Sequence, residues 1–293
     1  MNGAKILSIA AQRPARTMSN DELPGKFDID DAWIQSRTGI ATRGVANVEE
    51  TLVEMSAGAA SKAIAEAGID PATIDLTIVA TSSNPITTPG IAPPLTDRLG
   101  LTSGAFDIMA ACAGFCYSVN VAADSIRAGS ARNVLVVGAE RITDRMDWND
   151  RNTCYLFGDG AGAAIISATD VDDDGIGPVV WGSDGALADY IAQPMDSPYL
   201  QMDGQAVFKW AITELAGFAR EACEKAGIEP KDLAAFVPHQ ANLRIVESVA
   251  RNLGVGESTV VADDVRYSGN TSAASIPLAI SRMKEEGRIQ SGD

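Results

Sequence analysis

Part of this chain occurs twice. Ala67-Gly68-Ile69-Asp70-Pro71 and the apolar run Leu76 to Ala80 are matched by Ala226-Gly227-Ile228-Glu229-Pro230 and Leu233 to Val237, an offset of 227 − 68 = 159. Arg98-Leu99-Gly100-Leu101 likewise matches Asn252-Leu253-Gly254-Val255, Asp107 matches Asp264, and Gly129 matches Gly287. A duplicated unit restricts the fold to two similar halves that face each other across a shared site. Short apolar runs at Lys5 to Ala10, Leu76 to Ala80, Ala105 to Ala110, Asn133 to Gly138, Gly160 to Ser167, Val179 to Gly182, Leu233 to Val237 and Val260 to Ala262 read as strands. Helical spacing over Glu50 to Ala67, up to Leu99, Tyr117 to Arg127, Gly204 to Ala226, Ala241 to Leu253 and Ser272 to Glu286 alternates with them. Asp21 to Arg43 and Arg141 to Cys154 read as irregular, charged segments. The alternation implies βαβ units, hence an α/β fold of mostly parallel sheets with helices on their faces. The acidic turn Asp172-Asp173-Asp174-Gly175 is the expected seam, dividing residues 1–171 from 172–293.

The repeat also exposes an absence. Gly129 is followed by two buried runs, whereas Gly287 is followed by residues 288–293 only. The second half is therefore expected to lack its last two strands, with an unpaired sheet edge and uncovered apolar faces. The sequence is expected to be clipped at its C-terminus.

A formal net charge of −16 argues against nucleic acid as a partner, which needs a basic footprint. No stretch approaches the ~20 apolar residues of a membrane span. The first apolar run, Ile6 to Ala11 interrupted by Ser8, is too short for a signal peptide. Cys112, Cys116, Cys154 and Cys223 have no disulfide-type spacing, which fits a reducing compartment. The expectation is a soluble, cytoplasmic protein without a metal site.

Cys112 follows the run Ala105 to Ala110 and precedes a helical stretch, so it falls at a strand-to-helix turn. The free N–H groups and positive pole of a helix start favour a thiolate there. A buried cysteine packed as a small hydrophobe is the competing reading. The only histidine of the chain, His239, occupies a similar turn after the strand ending at Val237. A third turn carries Gly269-Asn270-Thr271-Ser272-Ala273-Ala274-Ser275. Asn270 stands at 270 − 112 = 158 from Cys112, close to the repeat offset, so the pseudo-twofold is expected to bring the two face to face.

Ala111-Cys112-Ala113-Gly114-Phe115, Val237-Pro238-His239-Gln240-Ala241-Asn242 and Gly269 to Ser275 together resemble the three active-site motifs of the β-ketoacyl-[acyl-carrier-protein] synthase III family. Trp33-Ile34, Arg37-Thr38-Gly39-Ile40 and Phe157-Gly158-Asp159-Gly160-Ala161-Gly162-Ala163 are also similar to it, and the resemblance runs from about residue 5 to the end. It implies a thiolase-like αβαβα fold whose last two strands and glycine-rich loop this chain lacks. The implied activity is decarboxylating condensation of an acyl-CoA with malonyl-acyl-carrier protein, initiating fatty acid synthesis. Cys112 would carry the acyl group, while His239 and Asn270 would stabilise the enolate oxygen. By the same resemblance Trp33, Arg37 and Arg151 hold the nucleotide end of CoA, and Gly204 and Asn242 contact the pantetheine. Phe157 lines the acyl channel. Lys209, Arg244 and Arg251 dock the acidic carrier protein, and Asn252 stands where some relatives have a second cation. No cofactor is implied, since acyl-CoA and malonyl-acyl-carrier protein are substrates.

The resemblance further implies a homodimer, paired through a sheet edge near Asn133 or Phe106 and across Thr87-Thr88. Thr88 would close the acyl channel of the neighbouring subunit. Being smaller than an aromatic residue, it leaves room for primers longer than acetyl. A related acyl-CoA acyltransferase, a chalcone-synthase-like enzyme and an inactive fragment are the alternatives. In Gly158-Asp159-Gly160-Ala161-Gly162 the glycines precede a strand, so tight packing is expected there in place of a phosphate cradle.

Overall fold

The computed structural model describes residues 2–25 and 27–293. The chain opens with β1 (Gly3–Gln12), β2 (Thr17–Ser19), α1 (Asp31–Thr38), β3 (Thr42–Gly44) and α2 (Leu52–Ala67). It continues with β4 (Leu76–Ala80), α3 (Ala92–Leu99), β5 (Gly104–Ile108), α4 (Gly114–Arg127), β6 (Asn133–Arg141) and β7 (Asp159–Thr169). After a small hairpin, β8 (Ile191–Ala192) and β9 (Gln201–Met202), come α5 (Gly204–Ala226), β10 (Ala235–Phe236) and α6 (Leu243–Leu253). The remaining elements are β11 (Val260–Val261), α7 (Val265–Ser268) and α8 (Ser275–Glu285). Val179 to Gly182, expected as a strand, is irregular: its residues lie at the surface with no neighbouring strand to pair with. The segment Asp21 to Arg43, expected as irregular, contains α1. That helix is polar because it buries only Ile34 and Thr38, so its local caps define it. Asp30 accepts the Trp33 N–H at 2.7 Å, and Gly39 ends the helix at φ 74°.

The main sheet runs in the order β1-β7-β6-β4-β5. Both pairs involving β4 are parallel, as expected for strands joined by helices, but β7 runs antiparallel to β6 and β1. The sheet is therefore mixed. No α-helix separates β6 from β7, so the chain returns alongside itself in the opposite direction. Side chains on β6 alternate strictly. Leu135, Val137 and Ala139 pack towards α2 and α3, whereas Val134 and Val136 pack towards α4. Each of these leucine and valine side chains contributes roughly 1.5–3 kcal/mol of burial. On β7 the glycines have the packing role expected of them. A Cβ on Gly160 would lie 2.9 Å from Leu278, and one on Gly162 would lie 2.6 Å from Pro277. Their absence lets α8 lie directly on the sheet.

Among the described residues the second half pairs β10 with β11 in parallel and, apart from them, only the short antiparallel hairpin β8–β9. The expected uncovered faces are present. Of the 23 residues of α5 only Ala211 and Ala216 are buried, and Trp181 and Phe218 remain exposed. The edges of the main sheet are β1 and β5, and on β5 Phe106 is exposed. Asn133 lies on the interior strand β6 and is buried, which removes it as an edge. No helix among the described residues is long and apolar enough to cross a membrane.

Candidate active site

Cys112 sits in a single 3₁₀ turn, Ala111–Ala113, between β5 and α4. No side chain caps α4; the Ala113 and Gly114 N–H groups donate instead to the carbonyls of Ala110 and Ala111 in the turn itself. A second turn of the same kind, Ser272–Ala274, precedes α8. Ala111 and Ser272 are the only described non-glycine residues with positive φ, at 45° and 46°. These turns are the true counterparts, so the local offset is 272 − 111 = 161 and Cys112 corresponds to Ala273. The expected pairing of Cys112 with Asn270 at 158 is corrected accordingly. The offset returns to 158 only at Gly129 and Gly287, because α4 has 14 residues and α8 has 11. The turns nevertheless pack together, and a Cβ on Gly114 would stand 3.8 Å from the Ala273 Cβ.

Asn270 is placed by backbone pairing. Its N–H donates to the Leu156 carbonyl at 2.8 Å, and its own carbonyl accepts from Gly158 N–H at 3.0 Å. Its side-chain Oδ1 accepts the Ser272 N–H at 2.9 Å. With the oxygen so engaged, the Nδ2 group is left to donate. His239 is held in a comparable way. Its Nδ1 lies 2.7 Å from Ser275 Oγ, which also accepts the Gln240 N–H at 3.3 Å. The Ser275 hydroxyl has no other acceptor among the described hydrogen bonds, so it donates to Nδ1. The ring proton then resides on Nε2. Burial pushes the His239 pKa down to about 4, which keeps the imidazole neutral at pH 7. The site thus offers two uncharged donors.

Burial pushes the Cys112 thiol up to about 11, with Ser272 opposing the rise and nearby Glu140 adding to it. Burial thus works against the thiolate that a helix start favours.

Three expected nucleotide contacts gather on one surface. The Arg37 guanidinium lies 4.2 Å over the Trp33 ring and that of Arg151 lies 5.1 Å from it, while Tyr155 meets the indole edge-on at 5.7 Å. Asn242 caps α6 by accepting the Arg244 N–H at 2.9 Å, and it donates to the Arg37 carbonyl at 3.3 Å. It therefore joins this surface to α6. Phe157 is buried with Ile142 and Met146, against Leu200 and Met202. Gly204 opens α5 next to Met202. On the outside of α5 and α6, Lys209, Arg244 and Arg251 are exposed, with Arg244 stacked 5.2 Å from Phe208. Beside Asn252, which stands where some relatives have a second cation, Arg220 on α5 donates to the Asn252 carbonyl at 2.6 Å. Thr88 lies on an exposed loop away from these groups. That loop is tied to β5 by Asp107, which accepts from Ile91 and Ala92 N–H at 2.6 and 2.7 Å.

Sequence reasoning missed Glu140, Arg220, Ser272 and Ser275 as site residues. Glu140 had a visible signal, an acid one residue before the end of a largely apolar strand. The two serines lay inside a motif read mainly for its asparagine.

Comparison with known proteins places this site in a family. The family models described as 3-oxoacyl-[acyl-carrier-protein (ACP)] synthase III and its C-terminal part match residues 106–185 and 223–293. β-Ketoacyl-[acyl-carrier-protein] synthase III 4 of Streptomyces coelicolor is 46% identical over 99% of this chain and 92% of its own length. The chain belongs to the 3-oxoacyl-[acyl-carrier-protein] synthase III family. As a synthase III it is a condensing acyltransferase of thiolase-like fold. The priming β-ketosynthase of the R1128 polyketide pathway superposes with a TM-score of 0.95 at 43% identity, covering 99% of this chain and 90% of that one. The synthase III of Aquifex aeolicus follows at 0.93 and 37%, covering 99% and 94%.

Proposed function

We propose that this synthase III condenses an acyl-CoA primer with malonyl-acyl-carrier protein to give 3-oxoacyl-acyl-carrier protein, the opening step of fatty acid synthesis. Cys112 attacks the acyl thioester and holds the acyl group. Malonyl-acyl-carrier protein then loses carbon dioxide, and its enolate oxygen is stabilised by His239 Nε2–H and the Asn270 amide. The resulting carbanion attacks the acyl-cysteine, whose oxyanion meets the Cys112 N–H.

The observation that carries this reading is the shared arrangement of His239 and Asn270. Each has its acceptor atom engaged by a serine, which leaves only a neutral donor for the site. Neutral donors suit a charge that develops during decarboxylation and disappears after it. Trp33, Arg37 and Arg151 form a stacking surface for the adenine and its phosphates, with Asn242 and Gly204 along the pantetheine. Lys209, Arg244 and Arg251, joined by Arg220, receive the acidic carrier protein. A second copy pairs along β5, placing each Thr88 loop over the other copy's channel. The enzyme works in the cytoplasm without a cofactor. Because Thr88 is small, primers longer than acetyl enter; each buried CH₂ adds ~0.8 kcal/mol.

Incubation with radiolabelled acyl-CoA and peptide mapping tests the central step. Label is expected on Cys112 and is lost in Cys112→Ala; persistence of label in that variant refutes the assignment. Thr88→Phe is expected to shift kcat/KM towards acetyl-CoA across a chain-length series, and an unchanged profile refutes the gate.

A further inference from the structure

The amide of Asn270 and the stacking surface at Trp33 belong to segments far apart in the chain, yet one side chain reaches the supports of both. Arg43 stands in the middle of β3 and is fully buried. Its acceptors are all uncharged: the Ser19 carbonyl at 3.3 Å, the Tyr155 carbonyl at 3.1 Å and the Asn20 side-chain oxygen. Its Nε–H has no partner among the described residues. A buried cation without a contacting anion costs stability. What the guanidinium supplies in return is geometry, because the donors of its planar fork fix the Ser19-Asn20 turn against the Tyr155 segment.

One branch from this fork leads to α1. The Asn20 amide nitrogen donates to Asp31 Oδ1 at 2.7 Å, at the start of that helix, and to the Ile40 carbonyl at 2.8 Å, just past its end. Both ends of the helix bearing Trp33 and Arg37 are thus tied to the residue whose oxygen accepts from Arg43. Asp31 is the carboxylate reached along this branch, with Asn20 between it and the cation. The second branch leads to Asn270. The Tyr155 carbonyl accepts from Arg43, and the next carbonyl along, that of Leu156, accepts the Asn270 N–H at 2.8 Å. The stem of Arg43 closes the same joint from behind. A Cβ on Gly158 or on Gly269 would stand 3.2 Å from the Arg43 Cβ, and these glycines flank the bridge between Phe157 and Asn270. The Tyr155 ring returns to the first branch by meeting the Trp33 indole. None of these contacts involves the Cys112 turn or α4.

We propose that Arg43 is the positioning residue that holds the Asn270 amide and the nucleotide-binding helix α1 in one register. Its fork grips the peptide next to the one that carries Asn270, and through Asn20 it grips both ends of α1. Without the fork the enolate donor and the CoA surface lose their placement together, while the turn of the nucleophile keeps its own supports. Lysine does not substitute, because it keeps the charge but presents a compact ammonium where the planar fork stood.

This inference rests on the roles proposed above for Asn270 and Trp33, and the experiment separates the two. Acylation by acyl-CoA, malonyl-acyl-carrier protein decarboxylation and thermal unfolding are measured for wild type, Arg43→Lys, Asn20→Ala, Asn270→Ala and Trp33→Ala, at a temperature where circular dichroism shows each folded. Arg43→Lys is expected to raise KM for acyl-CoA about 5-fold and to slow decarboxylation about tenfold or more, since a misplacement of about 1 Å costs up to about 10²-fold. Acylation at saturating acyl-CoA should stay within about twofold, because a weakened CoA surface changes KM and not kcat. Asn20→Ala cuts only the α1 branch, so it should raise KM and leave decarboxylation at the wild-type rate. Wild-type KM and decarboxylation in Arg43→Lys overturn the inference, as does a change in only one of them. Equal loss of all three activities marks a merely structural role and overturns it as well. Should Arg43→Lys not fold, Asn20→Ala decides: an unchanged KM overturns the inference, and a raised KM with intact decarboxylation supports it. Wild-type decarboxylation in Asn270→Ala, or wild-type KM in Trp33→Ala, overturns the underlying site roles instead.

Discussion

Replacing Ser275 by alanine should change the chemistry of a residue it never exchanges a proton with. The hydroxyl donates to His239 Nδ1 over 2.7 Å, and this contact selects the tautomer with its proton on Nε2. In Ser275→Ala the Nδ1 atom loses its only described donor in a half-buried setting. A neutral hydrogen bond of this kind contributes about 1 kcal/mol net, and an unsatisfied acceptor costs about 1–3 kcal/mol. A tautomer bias reduced by about 1–2 kcal/mol corresponds to a factor of about 5–30 in the population that presents Nε2–H. Malonyl decarboxylation should slow by that factor, and Cys112 acylation should stay within about twofold. His239 is the only histidine, so one ¹⁵N-labelled imidazole reports the tautomer directly. The decarboxylation rate, the acylation rate and this spectrum are measured on the same preparation. Wild-type protein with its proton on Nδ1, or Ser275→Ala decarboxylating at the wild-type rate, refutes the reasoning.

Asn270→Asp keeps the acceptor for Ser272 N–H but presents a charge where a donor stood. Decarboxylation should drop about 10²–10³-fold with the fold retained, as judged by CO₂ release and circular dichroism. Trp33→Ala should raise KM for acyl-CoA about 5-fold or more at nearly unchanged kcat, because stacking a base on an aromatic ring is worth roughly 1–3 kcal/mol. The half-buried, neutral His239 also sets an acid limit on stability. Its folded pKa of about 4 lies below the ordinary 6.5, so the unfolded chain takes the proton first as pH falls. Stability present above pH 6.5 is lost towards pH 4, by up to about 3 kcal/mol. Asp159, pushed up to about 6 by burial, contributes the opposite slope. The measurement is therefore the difference in urea stability between wild type and His239→Gln across pH 4–7, and equal slopes contradict it.

Much of this architecture was legible because duplication and apolar runs carry it. β4 and α5 match their sequence boundaries, and Cys112 and His239 lie in the strand-to-helix turns expected of them. What escaped depended on interactions distant in sequence. The direction of β7 depends on the path of a 17-residue excursion, 142–158, which leaves no periodic signal. α1 is fixed by Asp30 and Gly39 at its ends, not by an apolar stripe. At Cys112 the helix start is visible in the sequence, whereas the burial that opposes its thiolate is not. Pairing Cys112 with Asn270 by counting failed because three residues separate the lengths of α4 and α8.

The two 3₁₀ turns share a backbone, down to a side-chain-bearing residue at φ 45° and 46°. Backbone shape therefore supplies two equivalent addresses for a nucleophile, and only side chains decide which is occupied. One address holds Cys112 and the other Ala273. Exchanging the residues, with Cys112→Ala and Ala273→Cys together, would carry the thiol to the other address without altering the main chain. The asymmetry of the reaction is thus inscribed on a nearly symmetric frame, which makes the frame itself reusable.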